Sequence, residues 1–169
     1  MNSNPQATGR GAEETPRLVV VGAGPAGMAT AITLAERGLS VTVVDQNPHP
    51  GGQIYRFPAV TPKTPPTPER GAMLRQHLAD HSERITVLPE HNLVDIHPGP
   101  RLSLCGPDGF RIVEADHLVL APGAYEYAPP FPGWTLPGVM TPGAAQQLVK
   151  SQGVAPGRRG LLAGTGPFL

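Results

Sequence analysis

The sequence predicts an α/β fold, a parallel sheet with helices and an inserted antiparallel β-meander. Three observations carry this expectation. Two short β-branched runs, Leu18–Val21 and Val41–Val44, flank a helical pattern. Strand–helix–strand with short links is the parallel βαβ unit. Three further short runs follow, Leu93–Ile96, Arg101–Cys105 and Phe110–Val113, with "GPDG" at 106–109 as a turn between the last two. That spacing reads as a meander.

Each element has a local cause. Leu18–Val21 is a continuous apolar run, which suits a strand buried on both faces. From Pro25 to Arg37, Met28, Ile32 and Ala35 recur at helical spacing, and Gly38 supplies the stop. Val41–Val44 is the second strand. The segment from Pro58 to Pro68 is Pro-rich and expected to be extended and exposed. Thr67 and Pro68 then read as the cap and first residue of a helix with Glu69 in its first turn. That helix is expected to present Met73, Leu74 and Leu78 on one face and to end near Arg84. Ile85–Leu88 reads as a third parallel strand and His117–Leu120 as another, running into Ala121-Pro122-Gly123. Thr141–Lys150 reads as a helix, and Gly160–Ala163 as a last strand.

Composition sets the bounds. The 169 residues suit one domain, with at most part of a second. Net charge is zero and no basic block stands out, which argues against nucleic acid as a partner. A single cysteine, Cys105, permits no internal disulfide and by itself holds no cluster or structural zinc. The counts of 21 Gly and 22 Pro overlap the disordered range, but many punctuate apolar runs. No run spans a bilayer, and residues 1–16 lack the apolar centre of a signal peptide. They read as a disordered tail, and the expected location is cytoplasmic. No catalytic or metal-binding cluster is expected. The six histidines are scattered, and each reads as a surface or satisfied core residue.

Gly22-Ala23-Gly24-Pro25-Ala26-Gly27 carries the chemistry. The first glycine allows a tight turn, the second leaves room for a pyrophosphate, and the third lets helix and strand pack closely. Phosphates then face the free N–H groups and positive end of the helix. Pro25 costs nothing at the first helical position. Asp45 ends the second strand 21 residues after Gly24, where an acid can bond ribose hydroxyls. Gly51-Gly52-Gln53-Ile54 is either a second close approach to the ligand or a plain surface loop. Arg56 either approaches pyrophosphate or is a surface charge. Tyr55 and Trp134 either stack near a cofactor ring or pack, with packing favoured.

Together the fingerprint, Asp45, "GGQIYR" (51–56) and "LAPGA" (120–124) resemble flavoproteins with two dinucleotide-binding domains. "PFPGWTLPGVMTPGAAQQLVKSQG" (130–153) and "PGRRGLLAGTGP" narrow the resemblance to α subunits of opine oxidase, hydrogen cyanide synthase and related amino-acid dehydrogenases. The resemblance covers residues 17–169. It implies a Rossmann-like domain holding FAD through Gly22, Gly24, Pro25, Ala26, Gly27, Asp45, Gln46, Gly52, Gln53, Ile54, Arg56, Ala121 and Gly123. It further implies that the partner is a β oxidoreductase subunit, that the substrate is an amine, opine or amino acid, and that NAD(P) is a further cofactor of the intact protein. Family members continue into a further domain. On that pattern residues 17–155 are an incomplete FAD domain, and 156–169 the first strand and turn of a truncated NAD(P)-binding-like domain. Pro122 departs from the broader flavoprotein pattern, which has Thr there, and removes a hydroxyl and an N–H. Two alternatives stand beside this reading. One is a non-catalytic remnant binding at most the ADP part of a dinucleotide or a partner subunit. The other is an NAD-dependent dehydrogenase domain.

Overall fold

The structure is a computed structural model and describes residues 16–56 and 69–164. Of the expected tail only Pro16 falls within it. The Pro-rich stretch 58–68, with Thr67 and Pro68, and the glycine motif beyond Gly164 lie outside the described residues.

Four strands, β1 (Leu18–Val21), β2 (Val41–Val44), β3 (Ile85–Leu88) and β7 (His117–Leu120), form one sheet in the order β3-β2-β1-β7. All neighbours are parallel, with Val20 level with Val43 on one side and Val119 on the other. Helix α1 (Pro25–Glu36) joins β1 to β2, and α2 (Glu69–Asp80) precedes β3. Between β3 and β7 the chain makes an antiparallel sheet of β4 (Asn92–His97), β5 (Arg101–Gly106) and β6 (Gly109–Glu114). The expected α/β architecture with an inserted meander is the architecture found.

Period-two alternation explains the layers. Leu18 and Val20 of β1 and Val41 and Val43 of β2 join Met28, Ala31 and Ile32 of α1 and Leu78 of α2 in one core. Val19 and Val44 point the other way, into a second core with Leu102, Leu104 and Ala115. Strands β1 and β2 therefore lie between helices and meander, which is why they read as unbroken apolar runs, whereas β7 is a largely exposed edge. Burying a Val or Leu side chain contributes about 1.5–3 kcal/mol, so both cores oppose any slip of register.

Three sequence expectations need correction. Helix α2 stops at Asp80 rather than near Arg84. His81–Arg84 form a tight turn in which the Arg84 and Ile85 N–H groups both donate to the His81 carbonyl. The chain must leave the helix there to enter β3. Met73 is exposed, whereas Leu74 and Leu78 face the core with Gly71. Residues 71, 74 and 78 follow the i, i+3, i+7 stripe, and residue 73 falls off it. Gly160–Ala163 form no strand, and Leu161 and Leu162 are exposed. A strand exists only by pairing, and no described strand lies alongside to pair with it.

The turn after β1 is knitted into its neighbours by three backbone hydrogen bonds. Gly22 N–H donates to Val44 C=O at 2.7 Å, Ala121 N–H to Val21 C=O at 2.8 Å, and Gly51 N–H to Ala23 C=O at 2.8 Å. Gly22 has φ +101°, and a Cβ on it would lie 2.1 Å from the Ala121 carbonyl oxygen. At the opposite end of the sheet, the Arg17 guanidinium joins Asp116 and Glu114. Hydrogen bonds to Asp116, then to Glu114, push the Arg17 pKa further up.

Two expectations follow for equilibrium urea unfolding. Leu102→Ala should lower stability by about 2–5 kcal/mol, whereas Met73→Ala should stay within about 0.5 kcal/mol. Gly22→Ala should cost about 2 kcal/mol or more, while Gly38→Ala, with φ +83° but open space around it, should cost only about 1 kcal/mol. Equal midpoints for the two glycine variants would refute the close approach of Gly22 to Ala121.

Candidate dinucleotide site

A cavity of about 950 Å³ opens at the carboxyl ends of β1, β2 and β7. A parallel sheet offers ligands this position because strand ends there give way to loops and helix N-termini. Val21 and Gly22 form its floor, with Val44, Asp45 and Gln46 beside them.

The three fingerprint glycines have separable roles. Gly22 passes under Ala121. A Cβ on Gly27 would lie 1.7 Å from the Gly22 carbonyl oxygen, so the third glycine seats the helix on its own turn. Gly24 differs: a Cβ there would meet only Gly52 Cα, at 3.9 Å. Its backbone is ordinary, with φ −71°. Space beside Gly24 therefore belongs to the cavity rather than to protein packing. Gly24 is also the N-cap of α1, and no side chain caps it. The first N–H groups of a helix have no partner within it, so this end is an open positive pole.

The Gly51–Arg56 loop forms the adjoining wall. Gly51 and Gly52 both have positive φ, +145° and +58°. A Cβ on Gly52 would lie 2.9 Å from Gly24 Cα, so the two backbones touch at the α1 end of the cavity. Gln53, Ile54 and Arg56 also line it. Arg56 is half-buried, and its Nε is buried with no hydrogen-bond partner among the described residues. A cationic group in that state, lining the same cavity as an uncapped helix start, matches an anionic diphosphate. Among the predicted residues, Pro25, Ala121 and Gly123 also line the cavity. Ala26 and Gly27 do not: Ala26 faces solvent in the first turn and Gly27 is packed against the floor.

Asp45 has a role that sequence alone did not indicate. Its carboxylate is buried and accepts hydrogen bonds from the Ala23 N–H and from the Asn47 N–H and side-chain amide, the latter two at 2.7 and 2.8 Å. It thus closes the glycine turn as well as facing the cavity. A carboxylate offers about four acceptor positions, which leaves capacity for a ligand hydroxyl.

The far wall comes from segments the sequence reading did not assign. The loop after β7 brings Tyr125 and Glu126 to the cavity, and helix α3 (Pro142–Gln152) brings its first turn. Thr141 caps α3, accepting from Ala144 N–H. Glu126 accepts from Gly143 N–H at 2.8 and 2.9 Å. The start of α3 is thus neutralised by its own carboxylate, leaving α1 as the open pole. Two side-chain bridges cross between the walls, Gln46 to the Tyr125 hydroxyl at 2.7 Å and Gln147 to Gln53 at 2.8 Å. His91, Asn92 and Leu93, after β3, complete the lining. The general rule that ligands sit beyond strand carboxyl ends was the available signal for them.

The remaining candidates lie elsewhere or pack. Tyr55 is absent from the cavity lining and packs on the α1–α2 core. His97 sits on the meander with Nε2 2.8 Å from Ser103 Oγ. Cys105 is exposed on β5, and no group of three possible metal ligands occurs among the described residues.

Comparison with known proteins agrees with this geometry. Residues 16–155 match the family model for pyridine nucleotide-disulphide oxidoreductases. An opine oxidase subunit of Agrobacterium tumefaciens is 41% identical over 166 residues, covering 90% of this chain and 32% of that protein. The HcnB subunit of hydrogen cyanide synthase from Pseudomonas protegens is 40% identical over 157 residues, covering 89% of this chain and 34% of the relative. This chain therefore spans about a third of the length of these relatives. L-proline dehydrogenase from P. horikoshii superposes with a TM-score of 0.67 at 24% identity, over 86% of this chain and 31% of that one, a likeness of fold. On the breadth of the family match and the level of identity, the chain belongs to the pyridine nucleotide-disulphide oxidoreductase family.

Proposed function

We propose that this chain is the FAD-binding portion of a flavin-dependent oxidoreductase of the α-subunit type. The family implies a flavin, and the relatives include opine oxidase and hydrogen cyanide synthase subunits. The observation that carries the reading is the uncapped start of α1 at Gly24, opening on a cavity that is also lined by Arg56, whose Nε has no hydrogen-bond partner among the described residues.

In this reading Gly22, Gly24 and Pro25 face the diphosphate, while Ala26 and Gly27 build the helical turn behind them. Arg56 neutralises it, and Asp45 takes the ribose hydroxyls with its remaining acceptor capacity. Gln46, Gly52, Gln53, Ile54, Ala121 and Gly123 enclose the cofactor. A bound flavin supplies the redox chemistry, while the chain binds it, orients it and limits water. Oxidation of an amine, opine or amino acid together with a β subunit in the cytoplasm completes the proposal. Among the described residues no helix is long and apolar enough to cross a membrane.

Gly24 separates binding from folding. Its backbone is one any residue adopts, and a Cβ meets no protein atom closer than 3.9 Å. Gly24→Asp should therefore keep the wild-type far-UV spectrum and melting point while losing FAD affinity by tenfold or more, read by quenching of flavin fluorescence. A charge introduced at the open pole opposes a diphosphate by both volume and sign. Undiminished FAD affinity in this variant would sink the proposal. Tight NAD binding without flavin binding would favour a plain dehydrogenase domain instead.

A further inference from the structure

The Gly51–Arg56 loop carries two exposed side chains at its tip, Gln53 and Ile54, and buries little of its own. Something else must hold it. Its backbone is fixed at the near end by Gly51 N–H donating to Ala23 C=O at 2.8 Å, and across itself by Tyr55 N–H donating to Gly51 C=O at 3.0 Å. At the far end, the Tyr55 ring lies against α2. A Cβ on Gly71 would lie 2.7 to 2.9 Å from three carbon atoms of the Tyr55 side chain. Gly71 lies in the first turn of α2, and the Tyr55 ring occupies the space that a side chain there would fill. Arg75, one turn further along α2, donates from Nη1 to the Tyr55 carbonyl oxygen at 3.1 Å. Gly51 is matched to this arrangement as well, since a Cβ on it would lie 2.2 Å from that same oxygen.

These contacts form a continuous chain from α2 through Tyr55 to the turn at the start of α1. We propose that Tyr55 is a positioning residue. Seated on Gly71 and held by Arg75, it fixes the loop so that Gly52 abuts Gly24 and Arg56 stands at the cavity before a ligand arrives. The proposal rests on the cofactor reading above. Its physical content is pre-organisation: a loop already ordered pays less conformational entropy on binding. Tyr55 itself does not line the cavity, so its effect is transmitted through the loop backbone.

The test uses the 169-residue chain as wild type, Tyr55→Phe, Tyr55→Ala and Gly71→Ala. Two readouts are taken: amide hydrogen exchange across residues 51–56, and affinity for FAD and for ADP. Tyr55→Phe keeps the ring and should match wild type in both. Tyr55→Ala and Gly71→Ala should speed loop exchange by tenfold or more and weaken FAD and ADP by about tenfold. Exchange at Val19–Val21 should stay at the wild-type rate. Where Tyr55→Ala unfolds, Tyr55→Leu retains apolar bulk and is judged on the same two readouts. Unaltered loop exchange overturns the anchor, and faster exchange with unchanged affinity overturns its positioning role. If the wild type binds neither FAD nor ADP, the cofactor reading falls and takes the positioning role with it. Loop exchange then reports separately on the mechanical anchor.

Discussion

Everything at the carboxyl end of the sheet depends on backbone passing against backbone without side chains between. Gly22 lies beneath the Ala121 carbonyl, Gly27 beneath the Gly22 carbonyl, and Gly52 against Gly24. Each contact is too close for a Cβ on the first-named residue. Together they bring three separate segments, the β1–α1 turn, the loop after β2 and the exit of β7, to one point. Hydrogen bonds from Gly22, Gly51 and Ala121 to neighbouring carbonyls satisfy the polar groups that such crowding would otherwise strand. The buried Asp45 carboxylate adds the last constraint by holding the Ala23 N–H from below. The site is thus a place where the sheet and its loops are tightly tied together.

This construction leaves a single strong anion pole. Two helices start at the cavity, but they differ in how they are finished. Helix α3 has Thr141 at its cap and the Glu126 carboxylate on Gly143. Helix α1 has Gly24 and no side-chain cap. A ligand carrying a diphosphate therefore has one favourable end, and its orientation is set by charge as well as by shape. Arg56 lines the same cavity.

Much of this was legible in the residues, and the misses have physical causes. The β1–α1–β2 unit is read directly because its strands are continuous apolar runs and its turn requires glycine. Asp45 was legible as an acid at the right distance, but not as a partner of Ala23, because that contact depends on how the turn folds back. Met73 was misplaced because the stripe was read from apolar residues alone, and Gly71 was not counted as a contact. Tyr55 shows the same limit from the other side: its partner is an absence of side chain on α2, which no periodicity displays. The far wall was not assigned, since Glu126 and Gln147 are held by long-range contacts. The apparent strand at Gly160–Ala163 had the right composition but no described neighbour to pair with, and pairing decides strands.

The two walls of the cavity are fastened by different means. On the α1 side the joints are main-chain hydrogen bonds and close packing of glycines. On the α3 side they are the Gln46–Tyr125 and Gln53–Gln147 bridges, both in contact with solvent. Water competes for the second kind and scarcely for the first. A long guest bound as proposed would therefore be gripped at its phosphate end and loosely curtained at the other, so departure would begin as peeling from the amide side rather than as release of the whole molecule at once.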